Sequence, residues 1–243
     1  MSPTAPTPTF RERLWRIVRK LLYFFFFFHL SYVIVLRWVD PPITITQLTN
    51  WVQGNGLMRD YVDHSKISAQ AMLAVMASED QLFYEHSGFS WERIQKAIEH
   101  NERRPDKIRG GSTISQQTAK NVFLWQGRSY FRKALELYFT LLIELFWGKE
   151  RILEVYLNVI EMGRGVFGVE AAARYYFNKP ASRLNRQEAS LLAAILPSPK
   201  RYKIKPLSAY VSARSRAIQT QMSHLAPISE IRELLQSGAP GTY

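Results

Sequence analysis

Apolar residues recur every three or four positions through most of this 243-residue chain, which is the spacing of amphipathic helices. Pro41 and Pro42 break the first helical segment, and residues 43–51 are predicted to form an extended or short connecting stretch. No strand hairpin is indicated. The predicted helices cover residues 67–78, 91–100, 113–123, 132–147, 150–162, 169–177, 186–196, 208–222 and 229–236. The pattern predicts an all-α fold in one domain, with a single hydrophobic segment before it.

That hydrophobic segment is an uncharged run from residue 21 to residue 36, which includes five consecutive phenylalanines at residues 24–28. As a helix it measures about 24 Å, so crossing a hydrocarbon core of ~30 Å requires extension to residue 39. Aromatic rings on every face suit lipid better than the one-sided core of a buried helix. A cleaved signal peptide is the stronger alternative to an anchor. However, the hydrophobic run is not followed by the pair of small residues, separated by one position, that a signal-peptide cleavage site requires. We therefore predict an uncleaved transmembrane anchor over residues 21–39.

The charge distribution indicates which side of the membrane the chain occupies. Residues 11–20 carry a net charge of +4, which predicts a cytoplasmic N-terminus and places the rest of the chain outside the cytoplasmic membrane. The whole chain carries +12, so +8 remains on the other residues and favours an extracytoplasmic anionic ligand over nucleic acid. The sequence has no cysteine, which excludes disulfides and thiol nucleophiles. We predict a cytoplasmic tail (1–20), the anchor, a connecting segment (40–65) and a catalytic domain (66–243).

A dense polar cluster follows the first predicted helix of the domain. Glu79 stands at the end of an apolar helix, where a carboxylate is a candidate general base. Asp80, Phe83, His86 and Gly88 follow on the next turn, and they are predicted to hold that loop in place. For Asp80 and His86 an alternative is a purely structural role, in which they cap and staple the end of the helix.

A second cluster begins at Gly111. Ser112 is a candidate either for capping the next helix or for lining a site. Helical spacing places Gln116 with Lys120 on one face and Gln117 with Asn121 on another. Amides and an ammonium group near a helix N-terminus suit a pyrophosphate–sugar ligand, although a solvated basic face is the alternative. Further basic residues follow at Arg128, Arg132 and Lys133.

Glu136 is the second notable acid, because it lies on an otherwise apolar helix. Its expected partners are Arg132, Lys133 or an incoming cation. A salt bridge without a chemical role is the alternative.

These clusters resemble signature motifs of the peptidoglycan glycosyltransferases, glycosyltransferase family 51. Three motifs correspond to residues 79–88, 111–117 and 132–136, and two more correspond to residues 152–158 and 183–193. The similarity runs from about residue 70 to residue 201, in matching order and spacing. The chain is most similar to the monofunctional biosynthetic transglycosylases. Because Ser-x-x-Lys and Lys-Thr-Gly are both absent, we expect no transpeptidase activity.

The resemblance implies a lysozyme-like helical fold and the polymerisation of lipid II into β-1,4-linked glycan strands for the bacterial cell wall. It implies inversion at the anomeric carbon and release of undecaprenyl pyrophosphate. The expected partners are lipid II, the growing glycan chain, membrane lipid and other cell-wall synthesis or division proteins, with no nucleic acid. The expected location is the inner membrane, crossed once, with a periplasmic catalytic domain.

The resemblance also assigns roles to single residues. Glu79 matches the base that deprotonates the 4-hydroxyl of the acceptor GlcNAc, and Glu136 matches a second glutamate near the leaving group or its metal. No tightly bound cofactor is implied, although a divalent cation such as Mg²⁺ or Mn²⁺ is expected to assist near Glu136. Lys120 and Arg128 match pyrophosphate-contacting positions. Residues that match the polar lining of the donor region are Ser112, Gln116, Gln117 and Asn121.

Two other classes of protein compete with this interpretation. A lytic muramidase would share the helical fold and the catalytic glutamate, but it has no need of the basic surface formed by Lys120, Arg128 and Lys133. A membrane-anchored scaffold would have no reason to keep both Glu79 and Glu136 beside basic residues.

Overall fold

The computed structural model describes residues 9–104, 111–127 and 129–236, apart from the side chain of residue 93. The chain divides into two compact units, Met1–Val39 and Asp40–Tyr243. The predicted all-α architecture is confirmed, because helices dominate both units and the strands are few and short.

The first unit contains one long helix, α1 (Phe10–Val35), which is capped by Thr9 and Glu12 in a reciprocal capping box. Its phenylalanines are largely exposed, and it is long and apolar enough to cross a membrane. Helix α1 contains the predicted anchor region as far as Val35, and it also includes the basic stretch before that region. Residues 36–38 form a turn after α1, and Pro41 disfavours helical backbone in the residue before it, so helix does not continue into the next segment.

The second unit holds the remaining elements. Its helices are α2 (Ile45–Val52), α3 (Ala69–Glu79), α4 (Trp91–Arg103), α5 (Ile114–Phe123), α6 (Tyr130–Phe146), α7 (Lys149–Val159), α8 (Val169–Phe177), α9 (Arg186–Ile195), α10 (Ala209–Leu225) and α11 (Ser229–Gln236). Short 3₁₀ helices lie at His64–Lys66 and Ala181–Arg183, and the strands are β1 (Met58–Arg59), β2 (Glu161–Gly163) and β3 (Val166–Phe167).

Two helices, α3 and α5, form the centre of the second unit. All of residues 71–77 in α3 are buried, and this helix packs against α9 and α10. Helix α5 packs between α6 and α7. Burying apolar side chains on every face fixes the direction of α3, so the core determines where its last residue, Glu79, emerges.

A small sheet covers one end of this unit, in the order β1-β3-β2. Strands β2 and β3 are antiparallel and β1 joins β3 in parallel, so the prediction that no hairpin occurs is wrong. The predicted helix 150–162 ends at Val159, and its last residues form β2. Gly165 in the turn has φ +69° and lies so close to the carbonyl of Asn55 that a Cβ would be 2.1 Å from that oxygen. The prediction for residues 43–51 is also wrong, since α2 occupies most of that segment.

Candidate active site

Glu79, the last residue of α3, faces a cleft of ≈ 770 Å³ that is also lined by Ser112, Gln117 and Arg214. The Ser78 hydroxyl donates a hydrogen bond to Glu79 Oε1 (2.9 Å), and the Gln117 amide donates to Oε2 (3.0 Å). The Glu79 side chain is 15% exposed. Each oxygen therefore has one fixed donor, and the carboxylate still has free lone pairs that can accept a proton from a ligand in the cleft.

A buried tyrosine fixes the orientation of the Gln117 amide. The hydroxyl of Tyr156, which is fully buried, donates to Gln117 Oε1 at 3.2 Å. The pKa of Tyr156 is raised well above its ordinary value, first by burial and then by the charges of Glu79 and Asp80, so the hydroxyl stays protonated. With its oxygen committed to Tyr156, Gln117 presents its NH₂ group to Glu79.

Asp80 and His86 join the end of α3 to the start of α5. The buried Asp80 Oδ2 accepts hydrogen bonds from the backbone N–H of Ile114 (2.9 Å) and from His86 Nε2 (3.0 Å). Gly88 N–H donates to His86 Nδ1 at 3.2 Å, so Nδ1 acts as an acceptor and carries no proton. The ring N–H is therefore at Nε2, where it donates to Asp80. These contacts favour the structural interpretation of Asp80 and His86, which hold Glu79 against the first turn of α5.

The loop after Asp80 is held by packing and by one lysine. Phe83 is completely buried, and the Lys149 ammonium lies 4.6 Å from its ring centroid while also bonding the His86 carbonyl. Gly88 has φ +88°, and its carbonyl accepts a hydrogen bond from Thr113 Oγ1 (2.7 Å). The predicted supporting residues therefore all lie in one contact network around this loop.

Two residues of the second motif differ from what the sequence suggested. Helix α5 is capped by Thr113, whose hydroxyl accepts from Gln116 N–H (3.1 Å), so the capping role considered for Ser112 is wrong. Thr113 adopts the extended backbone that an N-cap requires, and Ser112 is left beside the cleft. Gln116 is buried, and its oxygen returns to Thr113 N–H (3.0 Å), so the structure does not place Gln116 in the lining of the cleft.

The second predicted acid lies in a cluster of cations. Glu136 is 3% exposed, and its two oxygens bind Arg132 Nη1 (2.7 Å) and Lys133 Nζ (2.5 Å). Within the described part of the chain, the ammonium group of Lys120 makes no hydrogen bond or ion pair, although its backbone carbonyl accepts from Leu124 N–H. The pKa of Lys120 is lowered, mainly by burial. The negative charge of Glu136 raises this pKa, the positive charges of Arg132 and Lys133 lower it further, and Glu79 raises it by a smaller amount. Lys120 is thus a half-buried cation near both glutamates, with its donors available.

Asn121 follows Lys120 in the chain, and a hydrogen bond through Gln126 links it to Thr46 of α2. Its Oδ1 accepts from Gln126 Nε2 (3.2 Å), and the same nitrogen donates to Thr46 Oγ1 (2.9 Å). The buried Nδ2 of Asn121 has no partner among the residues that the structure describes. The last predicted ligand residue, Arg128, lies outside the described residues.

The residues around Glu136 do not suit a metal ion held by the protein. Both carboxylate oxygens already bind cations, and a metal would have to displace Arg132 and Lys133. Residues 9–104, 111–127 and 129–236 contain no group of three or more acidic, histidine or cysteine side chains arranged for a metal. We therefore assign no step at Glu136 to a divalent cation.

Arg214 is one of the cleft residues that sequence reasoning missed, and it is the one whose charge lies closest to Glu79. It lies on α10, its Nη2 is 3.8 Å from Glu79 Oε1, and its buried Nε has no partner in the described segments. Its neighbours along α10 form no local polar cluster comparable with the two motifs, so no local signal marked it. Contact between α10 and α3 brings Arg214 to the site.

Comparison with known proteins places the chain in a family. The transglycosylase family matches residues 46–223, which include all five motifs. The chain belongs to the transglycosylase family. Its similarity to the biosynthetic peptidoglycan transglycosylase of Aeromonas hydrophila is 47% identity over 226 residues, covering 91% of this chain and 96% of that protein. The proteins of the same name from Pseudomonas putida strain F1 (53% over 208 residues; 83% and 88%) and Pseudomonas entomophila (50% over 227 residues; 91% and 95%) are similarly related. The membership of this family that the sequence motifs predicted is therefore confirmed.

Proposed function

We propose that this transglycosylase family member polymerises lipid II into β-1,4-linked glycan strands during bacterial cell-wall synthesis. The observation that carries the proposal is a hydrogen-bonded carboxylate, Glu79, that faces the cleft, together with the Lys120 ammonium near both glutamates. This ammonium has no ion-pair partner among the residues that the structure describes. The names of the related proteins, biosynthetic peptidoglycan transglycosylases, support the same reaction.

In the proposed reaction Glu79 accepts the proton of the acceptor 4-hydroxyl. The hydroxyl oxygen forms a bond to C1 of the donor sugar while the bond from C1 to the pyrophosphate oxygen breaks, which inverts C1 and releases undecaprenyl pyrophosphate. Hydrogen bonds from Ser78 and Gln117 hold the carboxylate in a fixed direction during proton transfer. General-base catalysis of this kind contributes ~10²–10⁴-fold in rate.

The cluster around Lys120 suits the departing pyrophosphate. Lys120, Arg132 and Lys133 bring three positive charges and Glu136 one negative charge, a net +2. Glu136 holds Arg132 and Lys133 in place, and Lys120 keeps its donors for the phosphate oxygens. Each charge-assisted hydrogen bond is worth ~1.5–3 kcal/mol. A divalent cation brought in on the phosphates of the substrate remains part of our proposal, with no ligand assigned to it in the protein.

The proposed location follows from α1. Its basic N-terminal part supports a cytoplasmic N-terminus, and we propose that the catalytic unit lies on the periplasmic side of the inner membrane. Lipid II and the growing glycan chain are the proposed substrates, and other cell-wall synthesis or division proteins are proposed partners.

The function is tested by incubating the purified, detergent-solubilised protein with lipid II and analysing the products before and after muramidase digestion. A polymer that muramidase degrades to disaccharide units is the expected result. Release of shortened fragments from preformed glycan, without polymer formation from lipid II, would indicate a lytic enzyme and contradict the proposal.

Replacing Tyr156 by Phe is expected to lower the kcat of polymerisation about tenfold and leave the KM for lipid II nearly unchanged. Loss of the hydroxyl frees the Gln117 amide to rotate, so its NH₂ group no longer always faces Glu79. A lost hydrogen bond of ~1–1.5 kcal/mol corresponds to this factor. The measurement is steady-state polymerisation of lipid II by both proteins.

A matched control separates this effect from loss of stability. Tyr176 is also buried, and its hydroxyl donates to the Met162 carbonyl (3.0 Å), so Tyr176→Phe removes the same group elsewhere in the fold. We expect Tyr176→Phe to keep the kcat of the wild type. Combining Tyr156→Phe with Gln117→Leu should add nothing to Gln117→Leu alone; fully multiplicative effects would show that Tyr156 does not act through Gln117.

A further inference from the structure

Two tyrosine rings lie face to face in the part of the second unit that carries Arg214. The ring centroids of Tyr202 and Tyr210 are 4.4 Å apart, and the planes of the two rings are inclined by 21°. Tyr202 is half-buried, whereas Tyr210 is 46% exposed even though one face of its ring is covered by the stack. The pair therefore presents an aromatic surface that a ligand can contact.

This aromatic pair is joined to the cleft through α10 and the loop that precedes it. Tyr210 lies one turn before Arg214 on α10, about 5.4 Å along the helix axis, so the two side chains share a face. Arg214 and Pro197 both line the cleft, and Tyr202 follows Pro197 in the loop before α10. The pKa of Tyr210 is raised, first by burial and then by its hydrogen bond with Tyr202, while the positive charge of Arg214 opposes the rise. The guanidinium and the Tyr210 hydroxyl are therefore neighbours.

The two rings are held in place by the backbone around them. The N–H of Tyr202 donates to the Ser198 carbonyl (2.9 Å), and Ile204, two residues later, is buried. Tyr210 lies in the first turn of α10 and is followed by Val211, which is completely buried. A surface that is fixed before its ligand arrives loses little conformational entropy on binding.

We propose that Tyr202 and Tyr210 form a platform that binds a sugar ring of the acceptor, next to the sugar whose hydroxyl faces Glu79. The inference rests on the proposed function and adds a binding site to it. The faces of a β-1,4-linked pyranose ring carry mainly C–H groups, which are attracted to the negative face of an aromatic ring. Because Arg214 Nη2 is 3.8 Å from Glu79 Oε1, the platform lies one helical turn beyond the residue that contacts the proposed base.

The groups around the platform suit the hydroxyl groups at the edge of a sugar. Arg214 has a buried Nε that is without a partner in the described segments, and the exposed Lys203 follows Tyr202 directly. Both side chains are hydrogen-bond donors. Of the described residues that line the cleft, Arg214 is one and Lys120 is not. The platform is thus associated with the cleft at Glu79, where the acceptor reacts, and not with the cation proposed to bind the pyrophosphate.

Fluorine NMR on the full-length, detergent-solubilised protein tests the platform directly. The twelve tyrosines are replaced by 3-fluorotyrosine, and the resonances that disappear in Tyr202→Leu and Tyr210→Leu identify the two rings. The probe is the GlcNAc–MurNAc disaccharide, which we expect to shift both resonances. Tyr175 is the matched control, because it is an exposed tyrosine that packs on a neighbouring ring elsewhere in the fold, and its resonance should stay in place. Unchanged resonances of Tyr202 and Tyr210, or an equal shift at all three positions, would overturn the proposal.

Kinetics with lipid II shows whether the reaction uses the platform. Tyr210→Leu is expected to raise the KM for lipid II about three- to tenfold and to change kcat little, whereas Tyr175→Leu should keep the KM of the wild type. An unchanged KM in Tyr210→Leu would show that the stacked pair only supports α10, and it would overturn the proposal. Shifts of both tyrosine resonances without any polymer from lipid II would contradict the proposed function but not the sugar site. Thermal midpoints that match the wild type establish that each variant is folded.

Discussion

Glu79→Gln is expected to reduce the kcat of lipid II polymerisation by at least ~10²–10⁴-fold while leaving lipid II binding largely intact. Glutamine has nearly the shape of glutamate, so its oxygen can keep the hydrogen bond from Gln117 while its NH₂ group donates to the Ser78 hydroxyl. It cannot, however, accept the proton of the acceptor hydroxyl. The measurement is polymer formation together with the equilibrium dissociation constant for lipid II.

A second acid in the same cleft provides the control. Glu92 lies on α4, lines the cleft and pairs with the exposed Lys96, so Glu92→Gln removes a carboxylate without removing the proposed base. We expect its kcat to stay close to that of the wild type. Near-normal polymerisation by Glu79→Gln would show that the assignment of the base is wrong.

Lys120→Met is expected to weaken lipid II binding by about 10- to 100-fold, which corresponds to one charge-assisted hydrogen bond of ~1.5–3 kcal/mol. The substitution keeps the length of the apolar stem and removes the one cation of the cluster that makes no ion pair among the described residues. The dissociation constant of Lys96→Met, which removes an exposed lysine from the cleft lining, should remain close to that of the wild type.

The pH dependence of lipid II binding is an independent test of whether the positive charge of Lys120 contributes to affinity. Because burial lowers the pKa of Lys120, the ammonium is lost at a lower pH than for an exposed lysine. Affinity for lipid II is therefore expected to be full below that lowered pKa and to fall as the pH rises through it. Lys120→Arg keeps its charge over this range and should retain its affinity. An identical alkaline loss of affinity in Lys120→Met and the wild type would contradict the assignment.

Much of the site could be predicted because its residues lie in short, dense polar motifs at the ends of apolar helices. The pattern of α3 placed Glu79 at the end of a buried helix, and the structure brings Gln117 to it from the second motif. The pairing of Glu136 with Arg132 and Lys133 was equally visible, because helical spacing of three and four residues makes such contacts local.

Some of the features that were not predicted depend on tertiary contacts, and others are local features that the sequence pattern does not distinguish. Arg214 reaches Glu79 only because α10 packs on α3, and Gln116 is used as a cap because Thr113, rather than Ser112, adopts the N-cap conformation. The segment that forms α2 combines helical spacing with β-branched residues after two prolines, and its apolar side chains are exposed. The β2–β3 hairpin is too short for an alternating pattern to be recognised.

The arrangement of acceptor and leaving group is the central claim, and a structure of the Glu79→Gln variant with lipid II bound tests it most directly. We predict the acceptor 4-hydroxyl within hydrogen-bonding distance of the residue 79 side chain and the donor pyrophosphate on the Lys120 ammonium. A pyrophosphate bound away from Lys120, with no sugar hydroxyl near residue 79, would contradict the account.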